Sequence, residues 1–180
     1  MKQRGFEVVS KYENQNIKVP YRTTQQAAGY DFECAEDFTL PSIWRHDLLH
    51  AFKQLWHRDP LTTEELVAGQ HNLKPWLVPT GIKAYMEPGE VLLLANRSSN
   101  PLKHNLILPN GVGVIDADYY NNEKNEGEIF VQLVNVGLKD IVIKKGQRIA
   151  QGIFMPFLLA DGERIPSQQR TGGFGSSDRY

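Results

Sequence analysis

The last eleven residues of the chain combine the residue types best suited to binding phosphate. Glycines have no Cβ and let backbone N–H groups approach a phosphate closely, while arginine and serine side chains donate to its oxygens. Phe174 has no core to join in so polar a stretch, and the face of its ring could stack on a nucleobase. From composition alone, a disordered glycine- and serine-rich tail is an equally good interpretation. The phosphate-binding types are Arg170, Gly172, Gly173, Gly175, Ser176 and Ser177.

The segment Arg97-Ser98-Ser99 is a second candidate anion site, because it directly follows the apolar run 90–95. Its arginine and serine side chains could donate to phosphate oxygens, and a following helical turn would add its backbone N–H groups. An ordinary polar turn is the alternative interpretation of so short a motif.

The run from Asn110 to Tyr119 contains a candidate catalytic carboxylate. Asn110-Gly111 is typical of a tight β-hairpin, and the strand after it ends on Asp116, at the rim of a predicted pocket. A carboxylate there could orient and deprotonate an attacking water, and Tyr119 could form a wall against a sugar. The alternatives are a surface turn containing Asp116 and Asp118, or a loose metal site.

Two more segments place single polar residues on apolar strands. Gly29 permits a tight entry into the next strand, and Asp31 is an acid at its start; structural and functional roles fit equally well. Gln151 lies on a strand of isoleucine, alanine and phenylalanine, which predicts a buried partner for its amide. The basic residues of the preceding turn are interpreted as solvated charges, namely Lys144, Lys145 and Arg148.

These residues need a scaffold, and short apolar runs separated by glycine and proline turns predict an all-β sandwich or barrel. A length of 180 residues fits a single domain, 1–180, with a sizeable core. The runs are 6–9, 30–34, 76–78, 81–86, 90–95, 105–108, 112–115, 128–136, 141–143 and 148–157.

Composition narrows the function classes. A formal net charge of −1 provides no excess of positive charge for a polyanionic nucleic acid. Cys34 is the single cysteine, which excludes an intramolecular disulfide and suits a reducing cytosol. The sequence shows no signal peptide and no apolar run long enough to cross a bilayer. We therefore expect a cytoplasmic protein that binds neither a membrane nor, stably, nucleic acid.

The segment 41–74 departs from the β pattern and is predicted to be a helical insertion. A second helix in it should begin at the capping box Thr62-x-x-Glu65 and end at Gly69. Packing against the sheet is the favoured interpretation of the first helix, and a lid or a docking surface is the alternative. The apolar stripe of that helix consists of Trp44, Leu48, Leu49, Phe52, Leu55 and Trp56.

Five segments, taken in order, resemble the five motifs of the homotrimeric dUTPases. They are 28–31, 97–99, 113–119, 146–151 and 170–177. They are distributed across nearly the whole chain, and five ordered motifs are far more specific than any one of them. The resemblance implies an all-β fold, a distorted jelly-roll β-barrel with a small helical insertion. A helical insertion of this kind resembles that of a bacteriophage or Gram-positive bacterial member of the family. The enzyme would then act in the cytoplasm, either of the phage's host or of the bacterium itself.

The resemblance also implies a reaction and roles for residues. Mg²⁺-assisted attack of water on the α-phosphorus of dUTP would release dUMP and pyrophosphate, limiting uracil in DNA and supplying dUMP for dTMP synthesis. Asp116 would position that water, Tyr119 would stack under the deoxyribose, and Asp31 would orient a water of the Mg²⁺-triphosphate. The implied substrate-binding residues are Arg97, Ser98, Ser99, Asn110, Gly113, Ile115, Tyr119, Gln151, Arg170, Gly173, Phe174, Gly175 and Ser176.

The resemblance assigns the flexible C-terminal arm, 166–180, to the site of a neighbouring subunit, so that three chains share three sites. Arg170 would clamp the terminal phosphate there, and Phe174 would cover the uracil. Three features depart from the family. The arm is one residue shorter between Arg170 and Phe174 than the commonest spacing, 41–74 is not part of the common core, and loop 120–127, expected to be exposed, has no assigned chemistry.

Two other functions stay open. A dCTP deaminase of the same superfamily would share the jelly roll and the triphosphate site, but its deaminating glutamate has no match here; Glu126 and Glu128 are the nearest acids. A nucleotide-switched regulatory protein could bind a partner through 41–74. Exposed aromatic residues in that segment would favour this function, since large apolar patches usually mark interfaces.

Overall fold

A computed structural model describes residues 2–44, 46–57 and 62–163 of the chain. Three α-helices lie in these ranges: α1 (His46–His57), α2 (Thr63–Asn72) and α3 (Ser99–His104). The strands of the same ranges are β1 (Gly5–Val8), β2 (Tyr30–Glu33), β3 (Phe38–Leu40), β4 (Trp76–Pro79), β5 (Ile82–Tyr85), β6 (Glu90–Ala95), β7 (Leu106–Ile107), β8 (Val112–Asp116), β9 (Phe130–Asn135), β10 (Ile141–Ile143) and β11 (Arg148–Pro156).

A four-stranded antiparallel sheet in the order β2-β11-β6-β8 organises the molecule. The other strands pair as β4-β9-β7, β1-β5 and β10-β3. Each predicted apolar run coincides with one strand to within a few residues, and the predicted all-β, jelly-roll architecture with a small helical insertion is confirmed. Strand β3 was not predicted, because three residues are too few to show an alternating pattern.

The hydrophobic core lies against the inner face of this sheet. Strand β6 shows the cause: Leu92 and Leu94 are buried, whereas Val91 and Leu93 are half-buried, as alternation of side chains across a strand requires. Burial of such apolar surface stabilises the fold by roughly 25 cal/mol per Å². The core also contains Phe32, Leu40, Val78, Ile82, Leu106, Ile129, Val131, Leu133, Ile143 and Ile149.

The turn at Asn110-Gly111 is not the predicted two-stranded hairpin. The Gly111 N–H donates to the Leu108 carbonyl at 3.0 Å, and Gly111 has a φ of +69°, so a tight reversal is present. However, β7 pairs with β9 and β8 pairs with β6, so the turn carries the chain from one sheet to another. The local signal predicts the reversal but not the strand partners, because those depend on which apolar faces pack.

The second helix of the insertion begins where it was predicted and ends three residues later than predicted. The capping box of α2 is confirmed: Thr62 Oγ1 accepts the Glu65 N–H at 3.2 Å, and the Glu65 carboxylate accepts the Thr62 N–H at 2.8 Å. The helix continues through Gly69 to Asn72, since an interior glycine costs only about 1 kcal/mol. Among the described helices, none has the length and apolar character needed to cross a membrane.

The apolar stripe of α1 is not buried against the sheet. Phe52, Leu55 and Trp56 are 53%, 57% and 87% exposed, so the favoured interpretation is wrong for these side chains. Trp44 precedes the helix and attaches the segment to the barrel, since its indole N–H donates to the Val136 carbonyl at 3.0 Å. The rings of Trp44 and Phe52 lie 6.2 Å apart. The side chains of Leu48 and Leu49 lie outside the described part of the structure.

Candidate active site

Four of the five predicted motifs meet on the four-stranded sheet. Strand β2 carries Asp31, β11 carries Gln151, β6 leads into Arg97, and β8 ends on Asp116. Asp31 pairs in register with Gln151, Gln151 with Ala95 on β6, and Ala95 with Val112 on β8. The order of the strands therefore brings segments together that are more than 100 residues apart in the sequence.

Asp31 joins two arginines into a cluster that we call the arginine cluster (Asp31, Arg97 and Arg148). One carboxylate oxygen of Asp31 accepts from Arg97 Nε at 2.9 Å, and the other accepts from Arg148 Nη1 at 3.0 Å. Asp31 is only 8% exposed, so its charge is largely removed from water. The interpretation of Arg148 as a solvated turn charge is wrong, whereas Lys144 and Lys145 are exposed as predicted. Two guanidinium groups on one carboxylate leave a net positive charge, which suits an anion.

A buried asparagine stabilises the turn that contains Arg97. Asn100 is 2% exposed and donates from Nδ2 to the Ile149 carbonyl and to Asn96 Oδ1, both at 2.7 Å. Arg97 donates from Nη1 to Ser99 Oγ at 3.3 Å, and Ser98 is exposed at the start of α3. Asn100 was missed, because an asparagine in a polar turn carries no sequence signal of burial.

Gln151 is the polar strand residue whose amide needed a partner. Its Nε2 donates to the Asn96 carbonyl at 3.1 Å, which confirms the prediction and ties β11 to the Arg97 turn. The structure thus brings Asp31, Arg97, Arg148 and Gln151 to one end of the sheet.

A cavity of about 180 Å³ lies on the other side of strand β8, and we call it the β8 pocket. Four predicted substrate residues line it: Asn110, Gly113, Ile115 and Tyr119. Gly113 has no side chain to fill the space beside Leu94, whose Cβ would lie 3.2 Å from a Cβ at residue 113. The other lining residues are Leu94, Leu108, Val114, Ile129, Phe130 and Gln132.

Tyr119 is held in place at this wall. Its ring is 5% exposed, and its hydroxyl donates to the Glu128 carbonyl at 2.9 Å. Asp116 directly follows Ile115 at the end of β8 and precedes the 3₁₀ turn Ala117–Tyr119. The half-buried Asp116 therefore directly follows a pocket-lining residue in the chain.

Six of the lining residues were not predicted, and two of them, Phe130 and Gln132, lie on strand β9. Gln132 is an amide inside the otherwise apolar run 130–134, the same signal that singled out Gln151, so it could have been found. Phe130 has no such sequence signal, because an aromatic residue at the end of a strand is common in a hydrophobic core.

The β8 pocket and the arginine cluster lie on opposite faces of the sheet. Side chains alternate along a strand, so Gly113 and Ile115 face the pocket, whereas Val112 shares the face of Gln151 and Asp31. Asp116 lies four residues beyond Val112, about 13 Å further along β8. Within one chain, the sheet therefore lies between the β8 pocket and the arginine cluster.

Within the described ranges, no group of three or more histidine, cysteine or acidic side chains could hold a metal ion. The side chains around Asp31 are suited to an anion, since both carboxylate oxygens of Asp31 already accept hydrogen bonds from arginines. These residues fit a metal that arrives bound to phosphate better than one bound by the protein alone. The predicted arm residues Arg170, Gly173, Phe174, Gly175 and Ser176 lie outside the described residues.

Comparison with known proteins identifies the family. The sequence profile of the dUTPase family matches residues 63–178. The deoxyuridine 5′-triphosphate nucleotidohydrolase of Lactococcus lactis is 47% identical over 178 residues, which cover 98% of this chain and 99% of that protein. The crystal structure of dUTPase from Streptococcus mutans is 43% identical, with a TM-score of 0.68, and the match covers 88% of this chain and 99% of that one.

A mutant dUTPase from phage phi11 of S. aureus, described for its coordination of a structural Mg(II) ion, has a TM-score of 0.60. It covers 91% of this chain and 97% of its own, but at 16% identity the likeness is one of fold alone. The family profile spans more than half of the chain, and the similarity to the Lactococcus lactis protein extends along its whole length. The chain belongs to the dUTPase family.

Proposed function

We propose that the β8 pocket takes the deoxyuridine part of dUTP and that the arginine cluster takes its triphosphate. The reaction is that of the family, hydrolysis of dUTP to dUMP and pyrophosphate. The observation that carries the assignment is the convergence of Asn110, Gly113, Ile115 and Tyr119 on one cavity beside Asp116. A concave cavity whose apolar lining includes the amide of Asn110 and the buried Tyr119 suits a ligand with one polar edge.

Each group in the pocket has a chemical task in this proposal. The Asn110 amide donates to a uracil carbonyl, and the Tyr119 ring packs against the deoxyribose, leaving no room for a 2′-hydroxyl. Gly113 and Ile115 shape the cavity. Asp116 positions a water for attack on the α-phosphorus and accepts its proton as the oxygen–phosphorus bond forms and pyrophosphate leaves.

Charge on the triphosphate has to be neutralised before a water can approach it. Arg97 supplies part of the compensating charge, together with Ser98, Ser99 and Gln151 as neutral donors. Mg²⁺, when bound to the triphosphate, supplies the rest. Asp31 keeps Arg97 in position through the 2.9 Å contact and offers its remaining lone pairs to a metal-bound water.

The separation of the two half-sites favours a homotrimer with shared active sites. A triphosphate held by the arginine cluster is too far from Asp116 of the same chain, about 13 Å along β8, to be attacked there. A neighbouring copy can supply the missing half, and the arm 166–180 of a further copy would close it. Closed symmetric oligomers satisfy such a requirement at every site equally. We expect the enzyme to act in the cytoplasm, where its nucleotide substrate is formed.

The first test is incubation of the purified chain with Mg²⁺ and dUTP, dCTP, dTTP or UTP separately, with assay of pyrophosphate and nucleoside product. Pyrophosphate and dUMP from dUTP alone would support the uracil pocket and the sugar wall together. Ammonia or a uracil product from dCTP would indicate the deaminase. The structure disfavours that outcome, because Glu126 and Glu128 bond to Ser10 and to the Gly81 N–H and neither lines the pocket.

A second role is favoured by the exposed aromatic face of α1. We propose that this face, Phe52, Leu55 and Trp56, binds a regulatory protein partner, because such apolar surface is costly to leave in water. A lid over the active site is the competing role. Replacing Phe52 and Trp56 by serine should leave kcat and KM for dUTP unchanged if the face serves a partner. A raised KM, with an unchanged Leu138→Ser control at an equally exposed leucine, would indicate a lid.

A further inference from the structure

The loop 120–127 connects the wall of the β8 pocket to strand β9, and its expected exposure is only partly correct. Asn121 and Glu123 are exposed, but Asn122 is 7% exposed and Gly127 is buried. Polar side chains are buried only where their hydrogen bonds are made within the protein. The loop is therefore an ordered structure whose bonds have a definite target.

That target is the Tyr119 hydroxyl. Asn125 Nδ2 donates to the Tyr119 hydroxyl oxygen at 2.8 Å and to the Glu128 carbonyl at 3.3 Å, while the hydroxyl itself donates to the same carbonyl at 2.9 Å. Asn122 orients this asparagine, since its Nδ2 donates to Asn125 Oδ1 at 2.8 Å and to the Tyr119 carbonyl at 2.9 Å. The phenol thus has one donor and one acceptor in fixed positions.

The loop cannot easily shift as a unit, because its first two residues are also bonded to the barrel. Tyr120 donates from its hydroxyl to Glu7 at 2.6 Å, and Lys83 Nζ donates to Asn121 Oδ1 at 2.7 Å. The chain also closes tightly on itself: a Cβ at Gly127, where φ is +82°, would lie 2.5 Å from the Tyr119 carbonyl oxygen. Motion of Tyr119 would therefore require several of these bonds to break.

We propose that Asn125 is a positioning residue that fixes the Tyr119 ring against the sugar and so sets the preference for deoxyribose over ribose. The inference rests on the proposed function of the β8 pocket. A ring excludes a 2′-hydroxyl only while it cannot retreat, and the two bonds to its phenol oppose retreat. Asn125 itself does not line the pocket, so it acts through Tyr119.

The test is a double-mutant cycle read as the ratio of kcat/KM for dUTP to kcat/KM for UTP. Asn125→Leu should lower this ratio about tenfold, the effect of losing roughly one hydrogen bond. Tyr119→Phe also removes the bond to the Glu128 carbonyl and should lower the ratio at least as much. The double variant should lower the ratio no further than Tyr119→Phe does, because that change already removes the contact with Asn125. A purely structural role would lower the melting temperature and leave the ratio unchanged.

Either of two outcomes would overturn the inference. One is an unchanged ratio of kcat/KM values in the folded Asn125→Leu protein. The other is a double variant in which the effects of the two single changes on this ratio multiply. Asn121→Gly is the matched control, since it removes a loop contact to Lys83 and leaves the Tyr119 contacts intact. If Asn125→Leu does not fold, Tyr119→Phe provides the test by itself. It removes the hydroxyl but keeps the ring and the bond between Asn122 and Asn125.

Titration calorimetry with dUDP and UDP measures the same discrimination without turnover. A wild type that turns over no dUTP contradicts the proposed function. A wild type that prefers dUTP, with variants that keep the same preference, contradicts only the role of Asn125.

Discussion

Gln151 occupies the space that a side chain at residue 29 would need: a Cβ on Gly29 would lie 2.7 Å from Gln151 Oε1. The same amide donates to the Asn96 carbonyl at 3.1 Å, one residue before Arg97. The absence of a side chain at Gly29 thus allows β11 to hold the turn that carries Arg97. The requirement is steric, since Gly29 has no positive φ to account for a glycine.

Gly29→Ala should therefore displace the Gln151 amide and destabilise the protein by about 1–3 kcal/mol, the usual cost of overpacking. Because the displaced amide releases Asn96, kcat/KM for dUTP should fall as well. The measurements are thermal unfolding and steady-state kinetics.

The double variant Gly29→Ala, Gln151→Ala separates the two effects. Removing the amide relieves the contact and should restore most of the stability, while activity should stay low because a proposed phosphate donor is lost. A double variant no more stable than Gly29→Ala would place the conflict elsewhere in the fold.

Asp31→Asn should destabilise the fold and weaken catalysis together. Two guanidinium groups would lose their shared charge partner in a largely buried position, at a cost of about 1–3 kcal/mol. Arg97 would also lose its orientation, which should lower kcat/KM for dUTP and raise the Mg²⁺ concentration needed for half-maximal activity.

Asp37→Asn is the matched control for this change. It breaks an ion pair to Lys144 in which both side chains are more than half exposed, and such pairs contribute little. Both unfolding and the Mg²⁺ dependence of turnover should match the wild type in the control. A normal Mg²⁺ dependence in Asp31→Asn would contradict the role of Asp31 at the metal-bound triphosphate.

The sequence predicts the positions of the strands better than the way in which the strands pair. Apolar runs bounded by glycine and proline locate the strands, because alternation and turn chemistry are local. Residues such as Asp116 and Gln151 stand out as polar groups on apolar strands. Asn125 and Asn100 do not, because an asparagine in a polar segment has the same sequence pattern whether it is solvated or buried. Gly113 and Gln151 face opposite sides of the sheet, and this follows only from the register of the strands, which no local sequence pattern specifies.

Asp116→Asn should reduce kcat by about 10²- to 10⁴-fold, the usual contribution of a general base, with little change in affinity for dUTP. The amide keeps the size of the side chain and loses its capacity to accept a proton. Stopped-flow turnover and calorimetry with a non-hydrolysable analogue measure the two quantities. Asp118→Asn, at an exposed position two residues on, is the control. Equal losses in kcat and affinity would contradict the assigned role.

Mixing two inactive variants tests whether sites are shared between copies. Asp116→Asn lacks the carboxylate proposed to be catalytic, and Arg97→Ala lacks the guanidinium proposed to bind phosphate. If each site takes Asp116 from one chain and Arg97 from another, equal amounts refolded together should regain about a quarter of wild-type activity. Recovery absent in mixed oligomers of confirmed composition would mean that one chain supplies both groups.

Glu128 should make the protein less stable as the pH rises. Its carboxyl is 5% exposed, and burial raises its pKa above the ordinary value of 4.5. The Gly81 N–H at 3.2 Å and Lys11 oppose the increase, whereas Glu36 and Glu126 add to it. The folded state therefore holds the proton more tightly than the unfolded state does.

The sign of the pH dependence follows from this raised pKa. The contribution of Glu128 to stability is fully present below the unfolded value near 4.5 and is lost as the pH rises through the folded pKa. Glu128→Gln, which keeps an oxygen for the Gly81 N–H, should remove this loss and be more stable than wild type at neutral pH. Thermal unfolding from about pH 4.5 to 8 measures it, with Glu123→Gln on the exposed side of the loop as the control. If Glu128→Gln and wild type lose stability in parallel over this range, the buried carboxyl is not the group responsible.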